Sequence, residues 1–329
     1  MDVIEGIKGN NFVVIGRAGM DLYPDPPGTA TEDAQTMTVA LGGSSANIAA
    51  GICKLGGRAS LVTRVSDDSI GRYCVKQLQT YGVGTEYVTL VGGEFRNSLA
   101  VYESRVEGHQ SVIYRNGAAD FEMSEADVEA VDFTKFSALI TAGTVFAAEP
   151  SRSATFKAFE MARAEGIPVI FDVDYRPYSW PSAQVASDVL SKAAAVSDVI
   201  VGNDEEFGFM AGSIENGLGK ARALAADSAQ IVVYKMGAQG AVTFAGNEEI
   251  TTGIYPVDAL KPTGAGDSFM AGFLTSIANG HSLHTSIMRG SACASITVSK
   301  PGCAPAMADS DTLEKFLTSH PGPTPVGSN

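Results

Sequence analysis

Residues 260–274 read Leu260-Lys-Pro-Thr-Gly-Ala-Gly-Asp-Ser-Phe-Met-Ala-Gly-Phe-Leu274, and the order of residue types in this stretch decides the fold. A Pro-Thr-Gly turn leads into a segment, residues 265–278, whose apolar residues Phe269, Phe273, Leu274 and Ile277 recur at helical spacing. Gly264 and Gly266 leave backbone N–H groups unobstructed at the helix start, where the helix dipole also directs partial positive charge outward. Such a start is a site for an anion, and phosphate fits it. Asp267 sits in the same first turn. A carboxylate there either caps the helix or accepts a proton from a hydroxyl that attacks the bound phosphate. The stretch is not a dinucleotide fingerprint, because the third glycine is missing, and Gly217-Leu-Gly-Lys-Ala lacks the spacing and the hydroxyl of a P-loop.

Outward from this turn, short β-branched runs alternate with helical stretches. Candidate strands are Phe12–Ile15, Ser60–Val65, Ala138–Thr141, Pro168–Asp172, Val199–Val201 and Ile231–Lys235. Candidate helices are Ala46–Leu55, Ser69–Gln79 and Ser151–Ala164, each followed closely by a glycine able to take the left-handed conformation of a helix end. Strands alternating with helices of this length require crossovers, and so predict an α/β fold with a mainly parallel sheet covered on both faces. Segments 17–40 and 96–116 break the rhythm with alternating patterns such as Leu99-Ala-Val-Tyr and Ser111-Val-Ile-Tyr. They read as hairpins of a small sheet standing off the main body as a lid. The expectation is one domain over 1–329 with an inserted lid and a disordered tail at 321–329.

Composition narrows the function classes. The chain is 45% hydrophobic and 18% charged, enough apolar material for a sizeable core. Its net charge is −14 and no run of five basic residues occurs, which argues against nucleic acid or an anionic membrane as partner. Acidity does not exclude a phosphorylated ligand, since local amides and a metal ion hold phosphate inside a negative protein. Cys53, Cys74, Cys293 and Cys303 lie far apart without a CxxC pair, so they read as free thiols of a reducing compartment. With no signal-like amino terminus and no apolar run approaching ~18 residues, a cytoplasmic location is expected.

Thr263-Gly264-Ala265-Gly266-Asp267-Ser268-Phe269 resembles the C-terminal signature of the ribokinase-like (PfkB) family of carbohydrate kinases. Its partner signature is matched upstream by Gly42-Gly43-Ser-Ser-Ala-Asn47, Leu55-Gly56, Val65-Ser-Asp67-Asp68 and Gly71. The resemblance implies a three-layer α/β/α core with a small β-sheet lid. It also implies an anion hole formed by Gly264, Ala265 and Gly266, with Asp267 as catalytic base. Asn203 and Glu206 match the family's Asn-x-x-Glu motif, which organises Mg²⁺ and water around the phosphates of ATP; an acidic helix start would look the same. Lys235, Gly237 and Gly240 resemble the nucleotide-binding turn, although a plain hairpin also accounts for them, and Ser291 falls where relatives place a residue beside adenine. Many relatives carry Asp at the position of Lys261, where it helps bind a monovalent cation. A lysine there is expected to replace the cation and make activity independent of K⁺.

For the acceptor, the family usually holds sugar hydroxyls with residues at the positions of Asp21, Gly43 and Asn47. A turn former and a helix cap are the structural alternatives for the two polar ones. Tyr114-Arg115-Asn-Gly-Ala-Ala-Asp120 resembles the lid strand of the fructokinases and sugar-acid kinases. Asp172-Val-Asp174-Tyr-Arg176 follows a core strand, at the edge where open α/β sheets bind ligands. Arg115 and Arg176 are either surface ion-pair formers or, aimed at one cleft, ligands for a carboxylate. With Gly16-Arg17-Ala-Gly-Met-Asp21-Leu-Tyr, which adds Arg17 to the expected acceptor site, they resemble the family members that phosphorylate the terminal hydroxyl of a keto-deoxy sugar acid of inositol breakdown. Kinases of 2-keto-3-deoxygluconate or fructose, and a non-catalytic sugar-binding protein, are the alternatives. A homodimer paired through the lids is a further expectation.

Overall fold

The structure is a computed structural model that describes residues 2–105 and 107–323. The strands in chain order are β1 (Asn11–Ile15), β2 (Gly19–Asp25), β3 (Thr36–Gly42), β4 (Arg58–Ser66), β5 (Val88–Val91), β6 (Leu99–Tyr102) and β7 (Ser111–Tyr114). They continue with β8 (Ala138–Ala142), β9 (Val169–Asp172), β10 (Val199–Asn203), β11 (Ile231–Lys235), β12 (Ala241–Ala245) and β13 (Glu248–Thr252). Nine of them form one sheet in the order β13-β12-β11-β10-β9-β8-β1-β4-β5. Every pairing from β11 through β5 is parallel, and β12 and β13 add antiparallel at one edge.

The central strands are continuous apolar runs because both of their faces are covered. On β1, Phe12 and Val14 enter one core while Val13 and Ile15 enter the other. The first core is closed by helices Ser44–Lys54, Ala265–Ala278 and Leu283–Val298, the second by Ser151–Ala164, Ala183–Ala195 and Gly217–Asp227. This is the three-layer α/β/α arrangement that the alternation of strand and helix predicts. The six candidate strands are all present, most longer by one to three residues and β9 shorter by one, and the outer strands β5, β12 and β13 were not among them.

A second sheet of four strands, ordered β3-β2-β6-β7, is built from the two segments with alternating patterns. Its hairpins β2–β3 and β6–β7 are antiparallel and join through a parallel β2–β6 pairing. Register fixes what each face carries, because side chains of paired residues share a face. Ala40, Asp21, Ala100 and Ile113 lie in one row, and Val39, Leu22, Val101 and Val112 form the row on the opposite face. The face with Asp21 and Ile113 looks onto the large cavity at the carboxyl ends of the parallel strands. Of the expected tail, residues 324–329 lie outside the described residues.

Candidate active site

The turn at residues 262–267 lines this cavity, whose volume is about 670 Å³, within the ordinary range for small-molecule sites. Gly264 takes a left-handed conformation, φ 84°, and begins the helix Ala265–Ala278. A Cβ there would sit 2.4 Å from Cys303 Sγ, so only glycine fits the turn. The helix start leaves its first-turn amides short of carbonyl partners, Ala265 N making only a long bond, 3.5 Å, to the Pro262 carbonyl, and Gly264, Ala265 and Gly266 line the cavity. Asp267, half-buried, is held from one side: its Oδ2 accepts from Asn47 Nδ2 at 2.9 Å and from the Cys303 thiol at 3.6 Å. Burial, and next the nearby Asp174 carboxylate, raise its pKa to about 6; the Asn47 hydrogen bond and the Arg176 charge act in the opposite direction.

At one end of the cavity, groups from four segments converge. Asp21 comes from the small sheet and Arg17 from the chain after β1. Gly43 (φ 96°) and Asn47 open the helix Ser44–Lys54, and Arg176 follows β9. Burial lifts the Asp21 carboxyl to about 6 against the opposing pull of Arg17. The Arg17 guanidinium is buried; its Nη1 donates to Ser98 Oγ at 3.3 Å, and its Nε has no protein partner among the described residues. Arg176 pairs through Nη2 with Asp174 Oδ1 at 2.7 Å, and its Nη1 lies 4.0 Å from Glu206 Oε1.

At the other end, Asn203 and Glu206 cap the helix Asp204–Ala211 reciprocally. The Glu206 amide donates to Asn203 Oδ1, and the Asn203 amide to Glu206 Oε2, both at 2.8 Å. The helix-start alternative is therefore realised, yet the same Glu206 carboxylate lines the cavity with its Oε1 uncommitted to the cap. No cluster of three or more His, Cys, Asp or Glu side chains able to hold a metal exists among the described residues. The oxygen donors present suit a hard divalent ion that takes most of its ligands from phosphate and water, and Glu206 and Asn203 are the residues that would hold it. Lys235 ends β11 with its ammonium 5.5 Å above the Phe269 ring, close to where a Gly266 side chain would lie. Gly237 and Gly240 form the turn into β12, and Ser291 reaches the cavity from the helix Leu283–Val298. Lys261 is not on the cavity wall. It is fully buried, and its Nζ donates to the carbonyls of Thr263 (2.6 Å) and Thr297 (3.3 Å).

One expectation requires correction. Arg115 does not join Arg176 at the cavity: it is buried elsewhere, ion-paired with Asp120, donating to the Thr144 carbonyl at 3.0 Å and stacked 4.1 Å over the Phe121 ring. A guanidinium removed from water takes the nearest carboxylate, and Asp120 is five residues away. The second cavity arginine is Arg17. Sequence reasoning passed over Asp174, Ser44, Tyr102 and Tyr178, which also line the site. Asp174 lies two residues from Arg176 and carries no local signal of its own, and Tyr102 follows the alternation of β6.

Known proteins resemble this chain in sequence and in fold. Residues 10–310 match the model of the pfkB family carbohydrate kinases. The 5-dehydro-2-deoxygluconokinase of Geobacillus kaustophilus is 34% identical over 318 residues, 95% of either chain. Fructokinase from Vibrio cholerae O395, solved with fructose, ADP and calcium, superposes with a TM-score of 0.81 at 25% identity, covering 93% of this chain and 99% of that one. A putative ribokinase II from E. coli, solved with ATP and Mg²⁺, shares the fold at 19% identity, with a TM-score of 0.83 over 94% of this chain and 99% of that one.

Proposed function

The chain belongs to the pfkB family of carbohydrate kinases, and from that premise we propose that it transfers the γ-phosphoryl group of ATP to the terminal hydroxyl of a keto-deoxy sugar acid, 5-dehydro-2-deoxygluconate. The observation that carries the choice of acceptor is the Arg17–Arg176 pair. In a protein of net charge −14, two guanidinium groups face the acceptor end of one cavity, and one of them keeps a buried N–H without a partner. A carboxylate satisfies both, since guanidinium matches its geometry and a charge-assisted bond is stronger than one to a hydroxyl. Asp21 and Asn47 supply the acceptor and donor that hydroxyls need.

Phosphoryl transfer asks the protein chiefly for alignment and charge stabilisation. Asp267, tethered through Oδ2, presents Oδ1 to the acceptor hydroxyl, holds it in line and takes its proton late in the reaction. The amides of residues 264–266 face the charge that develops on the transferred group. Lys235 stands beside that turn, and the Gly237–Gly240 turn and Ser291 line the nucleotide end. Mg²⁺, where bound, neutralises phosphate charge near Glu206 and Asn203.

The chain acts as one kinase domain in the cytoplasm, with the small sheet as a lid that excludes water when the acceptor is bound. Met37, Val39, Val112 and Tyr114, exposed on the outer face of that sheet, favour pairing of two lids in a homodimer. Among the described residues no helix is long and apolar enough to cross a membrane.

ADP formation measured across a panel of neutral sugars and sugar acids tests the reading. The highest kcat/KM is expected with 5-dehydro-2-deoxygluconate, and Arg17→Met lowers it about 10- to 100-fold, the worth of one charge-assisted hydrogen bond. Turnover with neutral sugars alone, or an Arg17→Met variant equally active on the acid, refutes the choice of acceptor.

A further inference from the structure

Asp174 is 5% exposed and has a φ of 34°, one of two positive values among the described non-glycine residues. Side chains rarely adopt that conformation, Asp and Asn more readily than others, and such outliers concentrate where a site needs them. Both carboxylate oxygens are engaged, each with a different part of the cavity wall. Oδ2 accepts from Ser44 Oγ at 2.5 Å, at the start of the helix that carries Asn47, and from Thr144 Oγ1 at 3.3 Å. Oδ1 holds Arg176 Nη2 at 2.7 Å. The Arg176 side chain is 45% exposed and is held by this contact and by a bond from Nη1 to the adjacent Tyr175 carbonyl at 3.0 Å, so Asp174 is the carboxylate that decides where Nη2 points.

We propose that Asp174 is a positioning residue that aims the Arg176 guanidinium into the cavity and, as one half of that pair, sets the electrostatic surroundings of the Asp267 carboxylate. The inference rests on the reading of Asp267 as the base. Among the described residues, the charged and titratable groups around that carboxylate are Asp174 and Arg176 from the chain after β9, Asp172 at the end of β9, Asp21 from the small sheet, Lys235 beside the anion turn, and Lys261 and Cys303 behind it. Among them Asp174 is the strongest influence raising the proton affinity of Asp267, while Arg176 lowers it. Losing either member of the pair therefore displaces the base in opposite directions. A purely structural role for Asp174 predicts no such reciprocity.

The test compares Asp174→Asn and Arg176→Gln in the full chain, with Asp267→Asn as reference, following ADP formation from about pH 5 to 8. Asparagine tolerates positive φ and can still accept from Ser44, so the first variant keeps the backbone. The second removes a largely exposed side chain and serves if the first misfolds. The acid limb of kcat/KM is expected to move down in Asp174→Asn and up in Arg176→Gln. KM for the sugar acid rises in both, about tenfold, because the guanidinium is misdirected in one and absent in the other. Unmoved limbs in both variants, with Asp267→Asn inactive, overturn the role of Asp174 and leave the base assignment standing. An active Asp267→Asn removes the base assignment and this inference with it.

Discussion

Removing the Lys261 ammonium tests whether a covalently attached cation has taken the place of a dissociable one. Nζ donates to two carbonyl oxygens that converge on a fully buried point, those of Thr263 and Thr297, the second of which also accepts from the Lys300 amide at 3.4 Å. Thr263 directly precedes the anion turn, so the contact ties that turn to the end of the helix Leu283–Val298. In Lys261→Ala the Thr263 oxygen loses its donor, while the Thr297 oxygen keeps the Lys300 amide. An orphaned buried polar group costs about 1–3 kcal/mol in buffer free of alkali cations. At about 2–4 °C per kcal/mol for a chain of this order of size, Tm falls by at least ~2 °C. The vacated space is lined by carbonyl oxygens, the ligands a bare K⁺ requires. Thermal melts and initial rates of the parent and of Lys261→Ala, in KCl against N-methylglucamine chloride, are the assay. We expect a parent indifferent to K⁺, and a variant whose Tm and kcat both recover in K⁺. Strong activation of the parent by K⁺, or a variant as stable and active as the parent without alkali cations, refutes the reasoning.

Three other outcomes follow from the site. Asp267→Asn keeps the shape of the base and removes its proton affinity, so kcat falls about 10²- to 10⁴-fold while KM for the acceptor changes little; near-normal turnover contradicts the assignment. With Asp267 and Asp21 both raised to about 6, kcat/KM declines as pH falls through that value, and a profile flat to pH 5 counts against it. Stability has the opposite sign for these two groups. Their folded pKa exceeds the ordinary carboxylate value, so the folded state binds more protons between about 3.8 and 6, and their contribution improves as pH falls through that window. Arg115→Met strands the buried Asp120 carboxylate and destabilises the fold by about 3–5 kcal/mol, measurable by urea titration. Because Arg115 lies off the cavity, kcat/KM of the folded fraction stays close to that of the parent.

Much of the fold was legible because its signals are local. Short β-branched runs mark β1, β4, β8, β9, β10 and β11, and two-residue alternation marks the hairpins of the small sheet. The outer strands β5, β12 and β13 escaped; Glu248-Glu-Ile-Thr-Thr, for one, carries too little apolar pattern to separate an edge strand from a loop. The anion turn was also local: glycines, a helix start and an acid within four residues. The arginines were not. Sequence gives a guanidinium its charge, but which carboxylate it meets depends on distances across the fold, and Arg115 met Asp120 while Arg17 met none.

The amino-acid order by itself determined the alternating architecture, the anion-binding helix start and the acid beside it, because each follows from residues that are neighbours in the chain. Only tertiary structure decided which groups share the cavity with Asp267. Asn47 reaches its carboxylate across 220 positions and Cys303 across 36, and Asp174 joins Ser44 across 130. Electrostatic and hydrogen-bonding energies depend on separation in space, and folding sets that separation independently of distance along the chain.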